Sequence, residues 1–269
     1  MRNLAEEKAI DFYNGVGWEA QDGRTGDAAR WEDLRASARS YVSRCRLRVL
    51  RHIPERGDLM LEVGSGPIQY PEYLEYSKNF NKRYCVDLSQ KALLEAERKI
   101  GQHGVFLNQS FFDVDFADDT FDCTVSLHVV YHMDASLQEE AVRKMIRFTK
   151  PSKPVVIVYS NPQTPYDRLM ARPVGLARRA ARKVLRRGPA PPPELYFFSH
   201  PLGWWERFGD VADVRVLPWR SFTADGQKRL FPNNRAGELL FDWLFRLEDA
   251  FPHFFARHSR YPMIVLTKR

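Results

Sequence analysis

The sequence predicts an α/β fold: a doubly wound, mostly parallel seven-stranded sheet with helices on both faces. Two observations carry that prediction. Apolar runs of strand length alternate with helical segments between about residues 55 and 160. Those runs are nearly continuous rather than polar on every second residue, as strands covered on both faces require.

The elements follow in order. Residues 1–50 read as helical, with "ARWEDLRASARSYVSRCRLRVLRHI" carrying apolar positions at helical spacing. "RGDLMLEVGSG" is a first strand ending in a glycine turn, and a helix is expected from about Pro71 to Lys78. "KRYCVDLS" is a second strand ending in an acid, and Ser89 is the N-cap expected for the helix that follows it. "GVFLNQS" is a third strand, and "FDCTVSLHVV" a fourth, introduced by the polar turn "ADDT". "LQEEAVRKMIRFTKP" is a helix that must stop at Pro151, and "KPVVIVYS" is a fifth strand. "VADVRVL" and "YPMIVLTKR" complete the sheet after a basic, proline-bounded interruption. Residues 1–269 thus read as one domain: a helical cap (1–54), a ligand-binding core (55–161), a basic and proline-rich insert (162–203) expected to form a helical lid, and a C-terminal part of the sheet and helix (204–269).

Composition narrows the function. The chain has 269 residues, 44% of them apolar, and no run long enough to span a membrane. Its first residues are acidic and amphipathic without the apolar stretch of a signal peptide, so a cytosolic location is expected. Cys45, Cys85 and Cys123 lie far apart with neither CxxC spacing nor a nearby histidine pair, which predicts buried thiols and no metal site. The formal charge is +7, yet residues 168–187 hold eight basic side chains and no acid, so the rest of the chain carries −1. That excess is local and needs a local explanation.

The stretch "LEVGSGPIQY", Leu61–Tyr70, sets the cofactor question. A glycine turn between strand and helix lets the backbone approach a nucleotide-like ligand closely, and a dinucleotide also wants a third glycine to bring the helix against its pyrophosphate. Ile68, preceded by Pro67, fills that place here. Glu62 would direct a carboxylate at the ligand, which suits an ammonium and repels phosphate. Asp87, ending the second strand, is placed to accept two ribose hydroxyls. Ribose plus ammonium without phosphate describes S-adenosylmethionine (SAM).

Glu62-Val63-Gly64-Ser65-Gly66, then Asp87, then "DVDFADDTFDCTVSLHVVYHM" resembles the class I SAM-dependent methyltransferases, in the branch that modifies small molecules, sugars and lipids. The resemblance covers roughly residues 55–160 and implies a Rossmann-like methyltransferase fold with SAM as cofactor. By it, Gly64 and Gly66 lie under the methionine part, Glu62 reaches the ammonium through water, Asp87 holds the ribose, and Leu88 lies beside the adenine. Leu127 and His128 border the sulfonium side. The family's usual adenine-binding aspartate after the third strand is replaced by Ser110, next to Phe111, with Asp113 as the alternative.

Methyl transfer from a sulfonium needs alignment and removal of the acceptor's proton. "SLHVVYHM" supplies His128, Tyr131 and His132 past the fourth strand. His132 is the expected base, since the family often has histidine there, with His128 next and His200 third; bracing of the loop is the competing role. In "LYFFSHPLGWW" at most one of Trp204 and Trp205 can line a pocket, while packing of the run on the sheet competes. Tyr13 and Trp18 are the residues expected to close over the cofactor, with plain packing as the alternative.

Residues 176–187, "LARRAARKVLRR", read as an amphipathic helix with a purely cationic polar face. An anionic membrane surface, nucleic-acid phosphate and plain solvation compete for it. Nucleic acid is disfavoured: no aromatics interleave with the basic face, and the Asn/Asp-Pro-Pro-aromatic motif is absent after the fourth strand. The expected activity is therefore O-methylation of a sugar or related hydroxyl on a small-molecule or glycan acceptor. A lipid-linked glycan or glycolipid at the cytoplasmic membrane face, and a peripheral location there, are the further expectation. The alternatives are a soluble natural-product O-, N- or C-methyltransferase and a non-catalytic SAM-binding protein.

Overall fold

The structure, a computed structural model, describes residues 3–21, 24–165 and 194–269. Its centre is a sheet of seven strands: β1 (Gly57–Val63), β2 (Phe80–Asp87), β3 (Gly104–Asn108), β4 (Cys123–Leu127), β5 (Pro154–Val158), β6 (Ala212–Arg220) and β7 (Tyr261–Lys268), in the order β3-β2-β1-β4-β5-β7-β6. The first five run parallel, and β7 is antiparallel to both its neighbours. The order reverses between β1 and β4, so their C-terminal ends diverge and leave the crevice in which ligands of such sheets bind.

Eight α-helices pack around the sheet among the described residues: α1 (Leu4–Phe12), α2 (Gly26–Trp31), α3 (Arg39–Leu47), α4 (Gln90–Ile100), α5 (Gln138–Phe148), α6 (Ala224–Leu230), α7 (Arg235–Ala250) and α8 (Pro252–His258). α4 starts where Ser89 accepts a hydrogen bond from the Ala92 N–H, and α5 ends at Thr149, two residues before Pro151. One apolar cluster, with Leu61, Val63, Val142, Met145, Ile157 and Trp205, fills one face of the sheet. The other cluster joins Tyr41, Val42, Met60, Val125, Val158 and Phe241 on the opposite face. The buried Arg48–Glu248 pair, at 2.7 Å, ties the cap to α7.

Two expected helices differ. The continuous helix over residues 29–53 is interrupted, because the Asp33 carboxylate accepts from the Arg35 backbone N–H at 3.3 Å and its guanidinium at 2.8 Å, a local turn that competes with helix. The helix expected over 71–78 is two 3₁₀ turns, Pro71–Tyr73 and Glu75–Ser77. Tyr70, Tyr73 and Tyr76 repeat every three residues, and their successive ring centroids stand 5.4 Å apart, which suits three residues per turn. All three cysteines are buried, and burial pushes the Cys45 and Cys85 thiols up to about 12. Most of the basic, proline-rich insert, including the proposed helix at 176–187, lies outside the described residues.

Candidate active site

A cavity of about 740 Å³ opens over the C-terminal ends of β1, β2 and β4. That lies in the upper half of the range of small-molecule sites, about 300 to 1,000 Å³. Its floor is the glycine turn. Gly64 and Gly66 adopt φ of 71° and 56°, the left-handed region that glycine enters without strain. A Cβ on Gly64 would lie 2.3 Å from a Val129 methyl carbon, so the turn also needs glycine for space. Ile68 follows at φ 48° and is buried; a β-branched residue in this region is strained. Lys99 of α4 holds the strained loop by donating to the carbonyls of Pro67 and Ile68 at 2.8 and 2.9 Å.

Asp87 ends β2 at the cavity. One carboxylate oxygen accepts from the Gly66 N–H and the other from the Ser89 N–H, both at 2.8 Å. Burial nevertheless pushes its carboxyl upward, against those bonds. The free lone pairs of these oxygens are suited to ribose hydroxyls. Leu88 and Phe111 line the cavity beside it, with Gln109 and Phe112.

Two expectations at the cofactor end need correction. Glu62 lines the cavity but is not a free carboxylate: Arg83 donates to it from Nε and Nη2, at 3.0 and 2.6 Å. Burial pushes Glu62 upward while Arg83 opposes it, so the pair is a neutral unit and any ammonium shares the acid with Arg83. Ser110 does not line the cavity. Its hydroxyl is bonded to Glu6 of α1 and accepts from the Phe112 N–H at 3.1 Å, which turns it toward the cap. The polar side chain nearest it in sequence that does line the cavity is Gln109.

Past β4, Leu127, His128, Tyr131 and His132 all line the cavity. His132 Nδ1 lies 2.7 Å from the Tyr196 carbonyl oxygen, which can only accept. The proton therefore sits on Nδ1, and Nε2 keeps its lone pair. Burial lowers this imidazole to about 4, so it is neutral near pH 7. His128, at φ 62°, is held differently. Its Nδ1 is 2.8 Å from the Tyr131 hydroxyl, its ring packs edge-on against Trp219 and Tyr261, and its Nε2 is buried with no hydrogen-bond partner among the described residues. His200 stacks on Trp204 at 4.4 Å and is not among the residues lining the cavity.

The cap forms the roof. Tyr13 stacks on Trp18 with centroids 4.8 Å apart, and the Trp18 ring lies over Gly66. Asn14 accepts from the Ser89 hydroxyl at 2.6 Å. Of the aromatic run, Phe197 lines the cavity and packs on Tyr131 at 5.2 Å, whereas Trp204 and Trp205 are buried in the core. The far wall carries residues that sequence reasoning missed: Asp27, Glu32, Arg220 and Tyr261. Arg220 donates to Glu32 at 2.8 Å, and Arg46 stands 3.5 Å from the same acid. Arg83 had a signal, since a cation inside a buried strand demands an acid on the neighbouring strand. The others had none, because they are far apart in the sequence. No cluster of metal-ligating side chains occurs among the described residues.

Residues 61–157 match the family described as "Methyltransferase domain". That segment is a class I SAM-dependent methyltransferase domain, and the chain is an enzyme that uses SAM as methyl donor. Solved structures share the fold at low identity. The N-methyltransferase NodS from Bradyrhizobium japonicum WM9, in complex with S-adenosylhomocysteine, aligns at a TM-score of 0.55 and 11% identity over 99% of both chains. Magnesium protoporphyrin IX methyltransferase (ChlM) from Synechocystis PCC 6803 aligns at 0.57 and 13% over 98% of this chain and 100% of its own. A DhpI–SAM–HEP complex aligns at 0.59 and 14% over 99% of both. No curated protein matches the sequence.

Proposed function

We propose that the chain methylates a hydroxyl of a sugar or a related small polyhydroxylated acceptor, with His132 as a proton-accepting group. The observation that carries the reading is the Tyr196 carbonyl on His132 Nδ1, which leaves Nε2 as an acceptor in the cavity wall. Gly64, Gly66, Asp87, Leu88 and Phe111 would hold SAM, which supplies the activated methyl group. The chain's own part is alignment: aromatic walls for the ring faces of an acceptor, and the Arg220–Glu32 pair for its hydroxyls. His128 fits a bracing role, because Tyr131 occupies one nitrogen and the other is sealed.

The finer reading, a lipid-linked glycan or glycolipid at the cytoplasmic membrane face, rests on the cationic sequence at 176–187. No helix among the described residues is long and apolar enough to cross a membrane. The test is transfer of labelled methyl from SAM into a fractionated extract of the source cells. Label in the lipid fraction supports the membrane-facing acceptor, and label only in water-soluble sugars supports a free one. Label found only on amines would refute hydroxyl methylation.

A further inference from the structure

We propose that Asp27 is a second proton acceptor of this site, a carboxylate of the cap that takes the acceptor's hydroxyl proton as the methyl group is transferred; this rests on the hydroxyl-methylation reading above. Asp27 lies in the first turn of α2, outside the matched family segment, and lines the cavity.

Its surroundings set it apart from the other carboxylates enclosed there. Glu62 is engaged by Arg83, Glu32 by Arg220, Asp87 by two backbone N–H groups, and Glu6 by Ser110 and the Asn3 N–H. Asp27 forms no ion pair among the described residues. Glu32 faces it from the end of α2, Tyr13 from the roof, Gln69 and Tyr70 from the glycine loop, and Tyr131 from the segment after β4. The one nearby guanidinium on its own helix, Arg30, is turned onto the rings of Phe12 and Trp31 at 5.7 and 5.2 Å. These partners are phenols, an amide and another acid, while Arg220 of the same cavity wall is taken by Glu32 and Arg260 also lines it.

Such an environment favours the protonated carboxyl. Burial, reinforced by Glu32 and opposed by Gln69, raises Asp27 to about 7, whereas burial holds His132 at about 4. A proton acceptor works best when its affinity for the proton matches the working pH. At neutrality Asp27 is therefore the stronger base of the two. In the step, the hydroxyl oxygen bonds to the methyl carbon as the carbon–sulfur bond breaks. Sulfur keeps that electron pair, and the hydroxyl proton passes to the Asp27 carboxylate.

The test has two independent arms on the whole chain. Infrared difference spectra of wild type and Asp27→Asn between about pH 5 and 9 report the Asp27 carboxyl band directly. We expect it to disappear on ionisation near neutral pH. Labelled-methyl transfer from SAM into the water-soluble and lipid fractions of a source-cell extract reports the reaction. Wild-type labelling should rise through the same pH range, Asp27→Asn should lose about 100-fold or more at pH 7, and Asp27→Glu should recover part of that. SAM affinity, measured by calorimetry, should be unchanged in both variants. An Asp27 already ionised at pH 5, or an Asp27→Asn variant with the wild-type rate and pH profile, overturns the proposal. If wild type binds SAM but labels nothing, hydroxyl methylation fails in its own right, and the infrared titration alone decides whether Asp27 exchanges its proton at neutrality.

Discussion

Replacing Gly64 with alanine should destabilise the fold and loosen the cofactor site through two separable terms. The backbone term comes from φ 71°, where an L-residue's Cβ approaches its own carbonyl at a cost of about 1 to 2 kcal/mol. The steric term comes from Val129: the new methyl would meet its Cγ2 at 2.3 Å, its Cγ1 at 2.7 Å and its Cβ at 3.1 Å. Relief of such overpacking by local movement costs about 1 to 3 kcal/mol. The sum, about 2 to 5 kcal/mol, lowers Tm by roughly 4 to 10 °C for a chain of this size. Gly64 also donates to the Val86 carbonyl at 2.8 Å, so a displaced turn separates β1 from β2 at the proposed SAM site. A steric term of about 1.4 kcal/mol expressed in binding would weaken SAM about tenfold. Thermal unfolding by circular dichroism and SAM calorimetry measure both. Val129→Ala removes the two closest clashing atoms, so the double variant should recover the steric term and keep the backbone term. Strictly additive effects, or a Gly64→Ala protein with wild-type Tm and SAM affinity, would refute the close approach of Val129 to the turn.

Glu62→Gln should cost about 3 to 5 kcal/mol in denaturant unfolding, because it leaves the Arg83 guanidinium buried and unbalanced. Replacing both residues by methionine should cost less than that. Asp122 accepts from the Asp58 and Leu59 N–H groups at 2.8 and 3.1 Å and from Lys150 at 2.8 Å. Burial would raise it, but Lys150 and the backbone donors outweigh burial and hold it below the usual aspartate range. A depressed carboxyl stabilises the fold above its unfolded pKa and loses that contribution as the pH falls through its folded value. Asp122→Asn should therefore cost about 1.5 to 3 kcal/mol at pH 7, with the gap to wild type closing below about pH 4. His132→Gln should lower methyl transfer into the extract by about 100-fold or more while SAM affinity holds; an unchanged rate would remove His132 from the reaction.

The sheet was legible because each strand is a local apolar run bounded by its own turn, and all seven are present. The place of the glycine turn and of Asp87 in the cavity wall was legible for a related reason. Gly64, Gly66, Asp87 and Leu88 sit at strand ends, and the observed strand order gathers those ends in one cavity wall. Ser110 misled because its position along the chain was right but its hydroxyl had a better partner in α1, more than a hundred residues away. The 71–78 helix misled because a helix was expected after the glycine turn, while the three tyrosines pack at a period of three.

Apart from His128 and His132, the proposed acceptor half was not legible, and its physical make-up explains why. Asp27 and Glu32 come from the cap, His128 and His132 from the segment after β4, and Arg220 and Tyr261 from the last two strands. No window of sequence contains two of these groups from different walls, so no spacing rule could join them. Their meaning is electrostatic and appears only when partners are assigned across the cavity. Once Arg83 is given to Glu62 and Arg220 to Glu32, Asp27 is left without an ion pair among the described residues. A carboxylate left in that state is stabilised by taking up a proton, and a methyl acceptor bound beside it has one to give.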